Sequence, residues 1–340
     1  MKLFPIISLI GGIIKNKMGR PTPLALAHEV TMECNLKCKF CTYWRERRKD
    51  ERDLEEIKGI IRQAKELGVG MYCVTGGEPL LRSDIVEILK YASSENMITS
   101  LVTNGALLAD KISDIAPYLN FLTISIDTLN SDKYKNLRGC DCLDKVLGGV
   151  DKYIEVRDDF PGMNVNINSV LMEETLNEVV DLVNFAADRG VGITFEPVVP
   201  LDAGVCPGWG SEGDFESALK EILRLKKKHN KVIWNSEYYL RWLSERKKYI
   251  CHSETLIRVD STGNVTAPCY DHPDSMVLGN ACERWLKEIL KTDRAKALHA
   301  KAHNCNRHDC YLMCYVEPSL VIESKIGALK GLYCMLNKLI

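Results

Sequence analysis

Three cysteines fall within eight consecutive residues, in the run Cys34-Asn35-Leu36-Lys37-Cys38-Lys39-Phe40-Cys41. Thiolates are the soft ligands that iron–sulfur clusters and zinc both select. Three of them leave one iron of a 4Fe–4S cubane without a protein ligand and open to a bound molecule. A structural zinc site closes with four ligands. The triplet therefore reads as an open 4Fe–4S site, and the alternative is Cys₃His zinc completed by His28 or His303. A second set, Cys251, Cys269, Cys305, Cys310 and Cys314, lies toward the C-terminus.

The chain has 14 cysteines in 340 residues and no evident secretory leader. Clustered cysteines in a chain of this length favour metal binding in a reducing, cytoplasmic setting over a disulfide framework. The six cysteines outside the two sets read mostly as small buried hydrophobes. With 46% hydrophobic and 27% charged residues and a formal net charge of −1, the composition is that of a globular protein. That balance gives no overall attraction to nucleic acid, and none is expected as a partner.

Apolar, β-rich runs at 26–32, 70–75, 98–103, 120–126, 164–170 and 192–196 alternate with amphipathic helical patterns. One such pattern runs from Leu54 to Leu67 with Gly68 after it, and another from Leu176 to Ala187 before Gly190. Repeated β–α units imply a parallel sheet with right-handed crossovers, doubly wound or barrel-like, whose chemistry sits at the carboxyl ends of the strands. Polar residues gather at those ends: Thr75-Gly76-Gly77-Glu78-Pro79, Thr103-Asn104-Gly105, Ser125-Ile126-Asp127, then Arg138-Gly139, with Asn166 and Asn168 on the fifth strand. Glycines admit a ligand close to the backbone, and a nearby carboxylate suits an ammonium group.

The outlying segments suggest four regions: 1–22, a core at 23–200, a linker with charged helices at 201–250, and a cysteine-rich region at 251–340. The N-terminal run from Leu3 to Ile14 is about a dozen residues, short of the roughly 20 that span a bilayer. It reads equally as a helix lying in a membrane interface, with Lys15, Lys17 and Arg20 facing anionic headgroups, or as a helix packed on the domain. The segment from Ile322 to Ile340 reads as a basic amphipathic helix.

The C-x₃-C-x₂-C spacing, the aromatic Phe40 before the last cysteine and the Gly-Gly-Glu-Pro strand end together resemble the radical S-adenosylmethionine (SAM) superfamily. The resemblance covers about residues 26–200. It implies an α/β fold, a partial (β/α)6 TIM-like barrel with a small cysteine-rich C-terminal extension. It also implies that Cys34, Cys38 and Cys41 hold a 4Fe–4S cluster whose open iron binds S-adenosyl-L-methionine. Gly76, Gly77 and Glu78 would contact the methionine amino group, and Phe40, Thr103, Asn104, Ser125 and Asp127 would line the cofactor. Arg138 would meet the methionine carboxylate, and Asn166 or Asn168 ribose or carboxylate oxygens. Such an enzyme cleaves SAM reductively to a 5′-deoxyadenosyl radical, which abstracts hydrogen from an unactivated C–H. An electron donor such as flavodoxin or ferredoxin is implied.

In the tail, Cys251, the turn Asp260-Ser261-Thr262-Gly263-Asn264, Cys269 and Cys305-x₄-Cys310-x₃-Cys314 resemble the SPASM and shorter twitch extensions of that superfamily, with a shortened cysteine pattern. The resemblance implies one auxiliary 4Fe–4S cluster held by Cys251, Cys269, Cys314 and either Cys310 or Cys305. A second auxiliary cluster, to which Cys282 and Cys334 would contribute, and a structural zinc site are the alternatives. Three substrate readings stay open. The leading one is a lipid or other long apolar substrate at the inner face of a membrane, with C–C bond formation as one outcome, and rests on the two terminal segments. The others are maturation of a ribosomal peptide and oxidation of a small polar metabolite.

Overall fold

Each of the six β-rich runs becomes a strand, because β-branched and apolar residues alternate there with residues of the opposite face. The structure is a computed structural model that describes residues 3–45, 50–198, 210–245, 247–266, 277–305 and 310–324. Its strands are β1 (Ala25–Thr31), β2 (Met71–Gly76), β3 (Ile98–Thr103), β4 (Phe121–Ser125), β5 (Asn164–Leu171), β6 (Gly192–Pro197), β7 (Leu256–Val259), β8 (Asn264–Thr266) and β9 (Val277–Asn280). The helices are α1 (Leu3–Lys17), α2 (Leu54–Glu66), α3 (Ile85–Ser94), α4 (Leu108–Ile115), α5 (Ser131–Arg138), α6 (Leu143–Val156), α7 (Val179–Arg189), α8 (Glu212–Lys228), α9 (Glu237–Glu245), α10 (Leu286–Ile289), α11 (Asp293–His303) and α12 (Met313–Glu323). Local signals set their ends. Asp53 caps α2 through a capping box with Glu56, and Gly190 ends α7 in the left-handed conformation.

The nine strands form one open sheet in the order β6-β5-β4-β3-β2-β1-β7-β8-β9. From β6 to β7 every pairing is parallel, and the β7–β8–β9 pairings are antiparallel. The partial barrel is therefore present and unclosed. The hairpin expected in a separate extension instead lengthens the core sheet, with β7 in register on β1 from Ala25↔Leu256 to His28↔Val259. At the other edge, residues 232–235 cover β6: Ile193 N–H donates to Val232 O at 2.8 Å, and the Asn235 amide bonds both N and O of Phe195. This blunts the open edge.

Leu26, Tyr72, Val74, Leu101, Leu122, Ile124, Val165, Ile167, Ile193, Phe195, Ile257 and Val259 face the main core with the helices. The residues between them face the barrel interior. At its bottom that inner face is apolar: Met71, Ile98 and Phe121 meet Leu9 and Ile13 of α1 and Val321 of α12. The N-terminal run is thus a helix packed under the barrel, although Ile7, Ile14 and Met18 remain exposed. Among the described residues no helix is long and apolar enough to cross a membrane. Residues 325–340, most of the expected C-terminal amphipathic helix, lie outside the described residues, as does Cys269. Cys140 and Cys142, two of the six cysteines outside the two sets, are joined as a disulfide.

Candidate functional site

The upper rim of the barrel is built from the loop after β1 and the ends of β2 to β5. The loop carrying Cys34, Cys38 and Cys41 is pinned to α5, with Lys37 N–H donating to Arg138 O and Lys39 N–H to Leu137 O at 3.1 and 2.9 Å. Cys38 is buried, while Cys34 and Cys41 are half-buried. Burial pushes the Cys34 thiol up to about 11 and also raises Cys38 and Cys41, with the Arg138 guanidinium acting the other way on Cys38. Metal loading must therefore release protons.

Gly76, with φ of 127°, and Gly77 lie directly against the backbone of that loop. A Cβ on Gly76 would collide with Thr31 O, and one on Gly77 with Glu33 O. Only glycines allow this approach, and it seats the end of β2 beside the cysteine loop. Glu78 is fully buried, and three donors hold its carboxylate: Leu80 N–H (3.0 Å), Thr103 Oγ1–H (2.8 Å) and Asn104 N–H (2.7 Å). The carboxylate read from the sequence as facing an ammonium thus also ties the ends of β2 and β3 together. The Asn104 amide donates to Asn35 Oδ1 at 2.7 Å and lies 4.0 Å from Cys34 Sγ.

Arg138 makes a second knot. Its Nε donates to Asp127 Oδ2 at 2.7 Å, its Nη1 lies 3.8 Å from Cys38 Sγ, and its guanidinium sits 5.1 Å from the centre of the Phe40 ring. Asp127 Oδ1 also accepts from Val170 N–H at 2.9 Å. The arginine expected to face a bound carboxylate is already paired inside the protein. Lower in the barrel, Ser125 stands in register with Asn168. Asn166 Nδ2 donates to Thr194 Oγ1 at 2.9 Å, and Thr194 Oγ1–H in turn to Asn168 Oδ1 at 2.9 Å. Asn166 Oδ1 is buried and accepts no hydrogen bond among the described residues, an acceptor suited to a ligand hydroxyl.

Below the rim the inner face is polar, with Glu29, Cys73, Ser100, Thr123, Asn166, Thr194 and Glu196 on successive strands and Arg258 on β7. Arg258 Nη2 donates to Glu29 Oε1 at 2.7 Å, and Tyr43 O–H donates to the same oxygen at 2.7 Å. Burial pushes the Glu196 carboxyl up to about 7, the Asn168 amide opposes this, and Glu317 of α12 adds to it. Sequence reasoning passed over Glu29, Glu196 and Arg258. The missed signal was charge placed inside runs otherwise built of strand-forming apolar residues.

The C-terminal cysteines divide. Tyr249 O–H lies 3.6 Å from Cys310 Sγ and also bonds Cys251, which places those two cysteines about one ring. Cys314 is exposed and lies within electrostatic reach of Cys310 and of Cys73, Glu196 and Arg258. Cys305 lines a separate surface cavity with His303. Among the described residues neither cysteine set brings three ligand atoms within 4.8 Å of one another, as a single zinc ion would need. His28 is buried against Tyr72 O–H at 3.0 Å, and His303 bonds Glu254, so neither completes a Cys₃His site.

A profile of the radical SAM superfamily matches residues 29–186. A GTP 3′,8-cyclase of Clostridium perfringens (strain 13 / Type A) is 31% identical over 228 residues, covering 63% of this chain. The chain spans 66% of that relative's length. A probable GTP 3′,8-cyclase of Methanopyrus kandleri is 30% identical over 278 residues, covering 77% of this chain and 87% of the relative. Among solved structures, Streptococcus suis SuiB bound to S-adenosylmethionine is similar with a TM-score of 0.68 at 21% identity, covering 90% of this chain and 75% of that one. The AdoMet-bound enzyme anSMEcpe is similar with a TM-score of 0.65 at 17% identity, covering 93% and 98%. At those identities the structural likeness speaks to the fold. The fold, the family profile and the extended match to these relatives place the chain in the radical SAM superfamily, as an enzyme that binds a 4Fe–4S cluster and S-adenosylmethionine.

Proposed function

We propose that this radical SAM enzyme acts on a small polar substrate seated against the inner face of the barrel. The observation that carries this reading is the row of polar side chains from Arg258 and Glu29 to Asn166, Thr194 and Glu196. An alkyl chain would leave the open Asn166 Oδ1 acceptor without a partner, at a cost of about 1–3 kcal/mol, and would press on the charged Arg258–Glu29 pair. A nucleotide-like or otherwise hydrogen-bonding molecule would supply a donor to that acceptor. Relatives named GTP 3′,8-cyclase support this class and make a purine nucleotide the first candidate. The lipid reading loses one of its two supports, because Leu9 and Ile13 of the N-terminal segment are buried beneath the barrel.

In this reading Cys34, Cys38 and Cys41 hold the cluster, and Gly76, Gly77 and the Asn166 carbonyl face the cofactor. Arg138 and Asp127 hold the Cys38 loop in place. When bound, cluster and cofactor supply a one-electron attack on a C–H bond. Glu196, poised near neutrality, can hydrogen-bond the substrate in either protonation state or take a proton from it. Cys251, Cys310 and Cys314, with Cys269 as a further ligand, hold an auxiliary cluster, and a flavodoxin or ferredoxin supplies the electron.

The test is substrate-dependent 5′-deoxyadenosine formation by anaerobic, reduced protein, with Cys38→Ala as the background. GTP or another polar nucleotide should raise the rate severalfold over the uncoupled rate. Stimulation by anionic lipid vesicles, with none from polar molecules, would overturn the reading.

A further inference from the structure

We propose that His252, Glu254 and His303 form a site for one zinc-class divalent cation, separate from both cysteine sets. The ligand atoms of these three residues all lie within 4.8 Å of one another, an arrangement that no other group of histidine, cysteine or carboxylate side chains reaches among the described residues. Glu254 bridges the two imidazoles: His252 Nδ1 lies 2.8 Å from Oε1, and His303 Nε2 lies 3.0 Å from Oε2. Ligand atoms around a tetrahedral zinc with bonds of about 2.0–2.1 Å stand about 3.3 Å apart. The two histidine–carboxylate distances would open by a few tenths of an ångström to admit the ion, with the remaining pair already within 4.8 Å.

The surroundings call for a positive charge at His252. His252 has a carboxylate oxygen at each ring nitrogen, with Nε2 2.6 Å from Glu323 Oε1. A neutral imidazole carries a single N–H and cannot donate to both, so the ring holds either a second proton or a cation at Nδ1. With a cation at Nδ1, the Nε2 proton goes to Glu323, the outer carboxylate that metal-bound histidines ordinarily have. His252 and Glu254 are buried, and His303 opens on a surface cavity of about 450 Å³ that gives an ion a path in. Three protein ligands leave a fourth position to water. The site would strap α11 and, through Glu323, α12 to the segment entering β7, next to Cys251.

The test uses protein whose iron sites are filled anaerobically, then loaded with Zn(II) and desalted. Metal analysis should find one zinc per chain beyond the iron. The zinc K-edge should show only nitrogen and oxygen scatterers at about 2.0–2.1 Å. Glu254→Gln and His303→Gln should each lose that zinc while keeping iron content and circular dichroism. A sulfur shell near 2.3 Å, no retained zinc, or zinc unchanged in both variants overturns the proposal. If the variants do not fold, the wild-type edge spectrum decides alone.

Discussion

The guanidinium of Arg138 donates to the carboxylate of Asp127 through Nε at 2.7 Å, with the two side chains 7% and 0% exposed. Both sit directly behind Cys38, so the cysteine loop rests on a buried ion pair. Removing one partner leaves the other charge buried and uncompensated, at a cost of about 3–5 kcal/mol. Arg138→Met should lower the urea midpoint accordingly. The double variant with Asp127→Asn should recover part of the loss, whereas equal loss in single and double variants would argue against coupling.

Glu78 accepts three hydrogen bonds with two oxygens, and a glutamine has only one. Glu78→Gln therefore turns an amide NH₂ toward a buried donor and should cost about 1–3 kcal/mol. Because one of those donors is the backbone of Asn104, beside Cys34, S-adenosylmethionine affinity measured by calorimetry should fall as well.

Burial pushes Glu196 up to about 7, above its unfolded value of 4.5. A carboxyl raised in the folded state contributes stability that is full below its unfolded pKa and lost as pH rises through the folded pKa. Glu196→Gln should match wild type at pH 4.5 and exceed it by up to about 3 kcal/mol at pH 8. Denaturant midpoints across that window check it. A difference that does not change with pH would remove the titration.

Leu9 is buried under the barrel, while Ile7 on the same helix is 57% exposed. Leu9→Ala should cost about 2–5 kcal/mol in thermal or urea unfolding. Ile7→Ala should stay within about 0.5 kcal/mol. Liposome co-sedimentation of the Ile7 and Ile14 variants tests whether the exposed side binds membranes: no change from wild type, itself unbound, is the expected result.

With both clusters assembled, iron should approach about eight per chain. Cys251→Ser should lower that to about four, with reductive cleavage of S-adenosylmethionine retained. Full iron in that variant would remove Cys251 from the ligand set.

The strands were legible because alternation and strand-end turns are local: Tyr72 and Val74 point one way, Cys73 and Thr75 the other, wherever the sheet goes. The cysteine triplet was legible for the same reason, its spacing being set within one loop. What closes around those elements was not. The pairing of Arg258 with Glu29 joins residues far apart in sequence, and nothing near either one marks the other. Glu78 looked free to meet a ligand because its partner Thr103 comes from the neighbouring strand, and Arg138 because only the turn from β4 into α5 folds it back onto Asp127. The N-terminal run was ambiguous because an apolar helix face suits a lipid surface and a barrel floor equally. Only the layer of Met71, Ile98 and Phe121 decides between them.

The seventh strand lies beside the first, and this has a bearing on how the protein is made. A chain emerging from the ribosome can pair β2 to β6 in order, but the ladder from Ala25 to His28 has no partner on its far side until residue 259 is out. An unpaired strand edge invites association with other chains, and pairing over such a separation is slow. The cysteine loop that follows β1 thus hangs on a strand completed late. The radical-generating half and the tail should therefore fold together, and a chain cut before β7 should aggregate rather than yield a free-standing core, which light scattering of the truncated chain checks.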